Sequence, residues 1–202
     1  MSFALRLSED RLGAHARLTL PPTPRVVYAQ DRAWHTGDAA ALATADAPAT
    51  FLRFELLRGG EALPATADKV ETRCLLEHAI DLDPARAWLM RCDRVDFAPG
   101  AVALPHGHKG GGIRCLLEGA LEVTVGDRLP RLMRPGDAWF ESGREPVLAK
   151  ASPEMPTAFV RVSILPREIR GQSSIVYVDP ADAARGRPRQ YMVYVDEPLV
   201  LP

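Results

Sequence analysis

Residues 97–119, FAPGAVALPHGHKGGGIRCLLEG, decide how this chain is read. Pro99 and Gly100 make a turn. Ala101 to His108 is extended, and Lys109 to Gly112 is a glycine run suited to a loop. Ile113 to Leu117 is an apolar run of strand length that stops at Gly119. His106 and His108 stand one residue apart. Side chains alternate along a strand, so both imidazoles point the same way. Two same-facing imidazoles are the start of a transition-metal site; on an exposed strand they are solvated and idle.

The rest of the chain has the same texture. Its 18 prolines and 15 glycines are spread at short intervals, which fits many short strands joined by turns. Strands are predicted at Ala16–Leu20, Arg25–Ala29, Thr50–Leu57, Trp88–Phe97, Leu121–Val125, Leu132–Arg134, Trp139–Glu141, Val147–Ala149, Ala158–Leu165, Ser174–Val178 and Gln190–Val195. Residues 61–72, polar and alanine-rich with Pro64, read as a linker. Arg73–Leu82 is apolar. Pro180–Pro188 joins the last two strands, and its region carries Arg185, Arg187 and Arg189, which read as a solvated loop rather than an anion site.

The spacing PG-x5-HxH, a short loop and a strand ending in LLEG resemble the first motif of the cupin family. Arg134 to Val147, RPGDAWFESGREPV, resembles the second. The resemblance covers Leu89 to Leu165. It implies an all-β fold, a cupin-like double-stranded β-barrel (jelly roll) with extra N-terminal strands and a C-terminal strand arm. The family's glutamate falls at Gly112 and its last histidine at Val147, so only His106 and His108 carry over from the ligand set. Domains are expected at 1–70, 71–170 and 171–202. The first stretch echoes the later one: RVVYAQ overlays IRCLLEG, and ATFLRFELL overlays TAFVRVSIL at Thr157–Leu165. A degenerate duplication and a chance likeness of amphipathic strands are both open readings.

Two residues could complete a site. Glu141 lies in the second motif, either as a third metal ligand or facing solvent or a salt bridge. Two imidazoles and one carboxylate are a donor set for a divalent transition metal: Zn, Fe, Ni, Cu or Mn. Arg114 should face the cavity, either holding a ligand's carboxylate or phosphate or neutralising Glu141. His15 and His35 are read as lone histidines outside the site; His78 is a stray third ligand at most, since it precedes the HxH strand by a whole loop. The leading function is then a cupin-type small-molecule metalloprotein, a dioxygenase or isomerase acting on a small polar substrate. The alternative is a non-catalytic ligand-binding or sensor barrel whose metal site has decayed.

Composition excludes other classes. The 202 residues are 47% hydrophobic and 25% charged with net charge −1, an ordinary globular balance with no basic patch for nucleic acid. No apolar run approaches a membrane span, and the start lacks the apolar core of a signal peptide. Cys74, Cys92 and Cys115 form no zinc or disulfide pattern and are expected as buried thiols. The chain is placed in the cytoplasm, with a small-molecule ligand and a homodimer as partners. There is no phosphate loop and no nucleophile triad.

Overall fold

A computed structural model describes residues 2–59, 68–185 and 189–202. Most of the predicted linker, with Pro64, and Arg187 lie outside the described residues. The chain divides into two compact units, Met1–Trp88 with Glu197–Pro202, and Leu89–Asp196.

The first unit holds β1 (Phe3–Leu12), β2 (Arg17–Leu20), β3 (Arg25–Ala29), β4 (Arg32–Thr36), β5 (Ala40–Ala43), β6 (Ala49–Arg58) and β7 (Val70–Ile80). One sheet runs β4-β3-β6-β1-β7, and β2 pairs with β5. Leu12, Leu18, Leu20, Val27 and Leu42 pack a small core. Below them runs a buried chain of charges. Arg53 forks onto Asp10 at 2.7 and 3.0 Å, Arg25 reaches Glu55 at 3.1 Å, and Arg53 also meets Glu55. Each of these charges is partnered, as burial demands.

The second unit holds β8 (Trp88–Phe97), β9 (Val102–His108), β10 (Gly112–Glu118), β11 (Leu121–Val125), β12 (Arg131–Met133), β13 (Ala138–Glu141), β14 (Val147–Ala151), β15 (Thr157–Pro166), β16 (Ile175–Tyr177) and β17 (Arg189–Leu199). Its two five-stranded sheets run β13-β10-β15-β8-β17 and β12-β11-β14-β9-β16. Val95, Phe97, Leu116, Trp139 and Phe159 of the first meet Ala103, Leu121, Val123, Val147 and Ala149 of the second in one core. Two antiparallel sheets closed over a shared interior are a jelly-roll barrel.

The strand orders of the two units correspond. β4-β3-β6-β1-β7 matches β13-β10-β15-β8-β17, and the β2–β5 pair matches β9–β14. Counterparts of β11, β12 and β16 are not seen among the described residues of the first unit.

Several expectations change. β1 and the β4 and β5 strands were not predicted, and Val70–Thr72 of the expected linker opens β7. The C-terminal stretch supplies β16 and β17, which are edge strands of the two sheets. Cys74 is exposed, because β7 is an edge strand, while Cys92 and Cys115 are buried. Among the described residues no helix is long and apolar enough to cross a membrane.

Candidate functional site in the second barrel

Strand parity sets the interior. On β10, Gly112, Arg114 and Leu116 face inward; Gly112 lies opposite Glu141 and Arg114 opposite Trp139 on β13. On the other side Gly112 lies opposite Ser163 and Arg114 opposite Arg161. On the facing sheet His106 lies opposite Val147. Thus His106, His108, Arg114 and Glu141 line one void of about 20 Å3, together with Arg161, Arg189 and Tyr191. That is room for about one water molecule.

The imidazole rings stand edge to face, 4.9 Å between centroids. His106 Nδ1–H donates to the Leu104 carbonyl at 2.7 Å. His108 Nε2 faces Glu141 Oε2 at 3.3 Å, and its Nδ1 is buried without a partner among the described residues. Burial, with Arg189 close to it, pushes His106 down to about 4. Burial pushes His108 down to about 3. Both rings are therefore neutral at pH 7.

Glu141 is fully engaged. Trp139 Nε1–H donates to Oε1 at 2.8 Å, and the Arg114 guanidinium sits 2.7 Å from Oε2. Burial opposes its ionisation, but Arg114, His108 and Trp139 overcome this and hold the carboxyl well below the usual range. Arg114 is 1% exposed; burial lowers it to about 10, and it also donates to the Gly112 carbonyl at 2.6 Å. Of the two roles open to Arg114, the geometry is that of a partner to Glu141. Arg161 forks onto Asp93 at 2.6 and 2.9 Å.

A divalent ion does not fit this donor set. The carboxylate that would complete it already neutralises the Arg114 guanidinium. Among the described residues no group of three or more His, Cys, Asp or Glu side chains is placed to hold a metal ion. His78 is exposed on β7.

Sequence reasoning misplaced one residue here. Arg189, expected in a solvated loop, opens β17 and is 7% exposed. The QYMVYV alternation that follows it was the available signal: extended by one residue, it puts Arg189 on the face of Tyr191. Arg185 is exposed and pairs with Asp182 at 3.2 Å.

A larger cavity of about 290 Å3 opens between the edges formed by β16 and β17. It is lined by Arg91, Asp93, Arg161, residues 171–175, Tyr191, Val193 and Asp196. Arg91 there is satisfied by Asp196 and by the carbonyls of Ile169 and Gln172. In the first unit a groove of about 810 Å3 is lined mostly by exposed residues, including Arg11, Gln30 and Lys69, and holds no converging polar groups.

The strand order and the HxH strand settle the architecture. The fold is a jelly-roll barrel, the architecture that the cupin resemblance implies. No family model matches the chain, and no curated protein matches it in sequence. Solved structures similar to it include an 11S allergen from Cocos nucifera, at 10% identity over 92% of this chain and 82% of that one, TM-score 0.48. AerE from Microcystis aeruginosa is 14% identical over 81% and 87%, TM-score 0.40. A salicylate 1,2-dioxygenase from Pseudaminobacter salicylatoxidans is 9% identical over 93% and 71%, TM-score 0.41. At these identities and TM-scores the likenesses carry no argument, and the site of this barrel rests on its own residues.

Proposed function

We propose that the second barrel is a non-catalytic binding module for a small polar molecule and works without a metal. The observation that carries this reading is the commitment of both Glu141 oxygens, to Trp139 and to Arg114. An interior ion pair stands where the resemblance implies a metal. The 290 Å3 cavity between β16 and β17 is near the lower end of ligand-site sizes and offers serine and glutamine side chains beside charges already paired. One observation favours the metalloprotein alternative: both imidazoles are held neutral, the state that binds metal.

Reconstitution with Zn, Fe, Ni, Cu or Mn at pH 8, followed by elemental analysis, separates the two. The binding reading expects far less than one metal per chain. One metal per chain, lost in the double change His106→Ala, His108→Ala, overturns it. A thermal-shift screen of small polar compounds supplies the positive arm. Stabilising compounds should lose their effect in Val193→Trp, which fills the cavity from a residue already 55% exposed.

A further inference from the structure

The interior of the second barrel carries one charge too many. Among the described residues the guanidinium groups that line its interior void are Arg114, Arg161 and Arg189, and the carboxylates against them are Glu141 and Asp93. Glu141 answers Arg114 and Asp93 answers Arg161, which leaves Arg189. Its Nε–H donates to the Tyr191 hydroxyl. Its Nη1 and Nη2 are buried with no hydrogen-bond partner among the described residues. The group lies over two aromatic rings, 5.9 Å from Phe97 and 5.6 Å from Tyr191. An arginine so placed is held by its flat faces and keeps the end of its fork open. A buried guanidinium without a counter-ion is costly, so the site is built for an anion that arrives with a ligand.

We infer that Arg189 receives the carboxylate of a small organic acid whose body fills the cavity between β16 and β17. The inference rests on the binding reading above and names its ligand class. Two observations fix the chemistry. The surplus charge is one, which matches one carboxylate. Two free N–H groups at the tip of the fork match two carboxylate oxygens. The route is also defined. Tyr191 and Arg161 line both the void and the larger cavity, and Tyr191 carries guanidinium groups of Arg189 at 5.6 Å and Arg161 at 5.8 Å from its ring. The wall between the two spaces is therefore this pair of side chains, and the Tyr191 ring must turn aside to admit the carboxylate, because the void alone holds about one water molecule. Beyond it the charges of Arg91, Asp93 and Asp196 are mutually satisfied, so the body of the acid is uncharged and meets the Gln172 and Ser173 side chains.

The test uses the full chain with acetate, benzoate, acetamide and chloride at constant ionic strength, read by thermal melting and titration calorimetry. Acetate and benzoate should raise the melting temperature with concentration, benzoate more strongly; acetamide should not. Arg189→Met should melt at or above the parent temperature without anion, since a surplus buried charge is gone, and should lose the carboxylate response. Arg189→Lys, which keeps charge and loses the fork, should bind benzoate at least tenfold more weakly. Equal responses to acetate and acetamide overturn the inference, as does an Arg189→Met variant that still responds. A response to chloride equal to that to acetate, lost in Arg189→Met, assigns an inorganic ion and overturns the ligand class. Absence of a carboxylate response with no stoichiometric metal sinks this inference alone and leaves the metal-free binding reading standing.

Discussion

Gly112 and Glu141 face each other across the β10–β13 pair, so the interior carboxylate is supplied by the strand next to the one on which the cupin resemblance places it. There is no space at the original place. A Cβ on Gly112 would lie 2.4 Å from the Val162 carbonyl oxygen and 2.6 Å from Ser163 Oγ. Relocated to β13, the carboxylate comes under Arg114, and the chemistry of the interior changes from coordination to ion pairing.

Gly112→Ala should therefore destabilise the chain by about 1–3 kcal/mol, the range for overpacking a closed interior. Urea unfolding measures it. The pair Gly112→Glu, Glu141→Gly should fail to create a metal site; stoichiometric zinc in that variant would show that β15 can yield.

Arg114→Ala and Glu141→Ala should each cost roughly 3–5 kcal/mol, because either change strands a charge at a site 5% exposed or less. Thermal melts decide this, and a double-mutant cycle should show strong coupling. Unchanged melting in both single variants would mean that solvent reaches the pair.

Stability should fall as pH falls below neutrality. Unfolded, each imidazole takes a proton near pH 6.5; folded, His106 resists to about 4 and His108 to about 3. The unfolded chain then binds more protons than the folded one over this window. Each ring contributes a loss of about 1.4 kcal/mol per pH unit as pH drops. Urea midpoints between pH 6.5 and 5, above the carboxylate range, read the slope, and His106→Gln with His108→Gln should flatten it. A slope that persists in the double variant assigns it elsewhere.

A homodimer is expected from the resemblance, and the edge strands leave Val176 51% and Met192 54% exposed. Uncovered edges of this kind invite pairing. Light scattering should give twice the 22.1 kDa of one chain; a mass near 22.1 kDa at micromolar concentration removes this expectation.

The barrel was legible in the sequence wherever alternation and turn residues agreed. Trp88–Phe97 and Leu121–Val125 are strands with the predicted ends. Phe3–Leu12 was missed because Ser8, Glu9 and Asp10 break its apolar pattern, yet Ser8 and Asp10 are buried and Asp10 is answered by Arg53 and Thr72. A charge that is buried against a distant strand looks like a surface charge in one dimension. Arg189 failed for the same reason. His106, His108, Arg114 and Glu141 line one void; the parity of the first three follows from the HxH motif, whereas the side that Glu141 takes was left open by the sequence. Which partner Glu141 takes depends on cross-strand register, which no local pattern reveals.

The strand order also dictates when the second barrel can be finished. β8 is flanked by β15 and β17, so one of its edges stays open until residues 189–199 have been made. On a growing chain, Arg91 waits for Asp196 and Arg161 waits for the ring of Tyr191. Non-local pairings of this kind fold slowly and leave an adhesive edge while they wait. A nonsense mutation anywhere from residue 171 to 188 would therefore release a chain with the cavity between β16 and β17 unformed and at least the β8 edge on offer to its neighbours, and inclusion bodies rather than a trimmed barrel are the expected product.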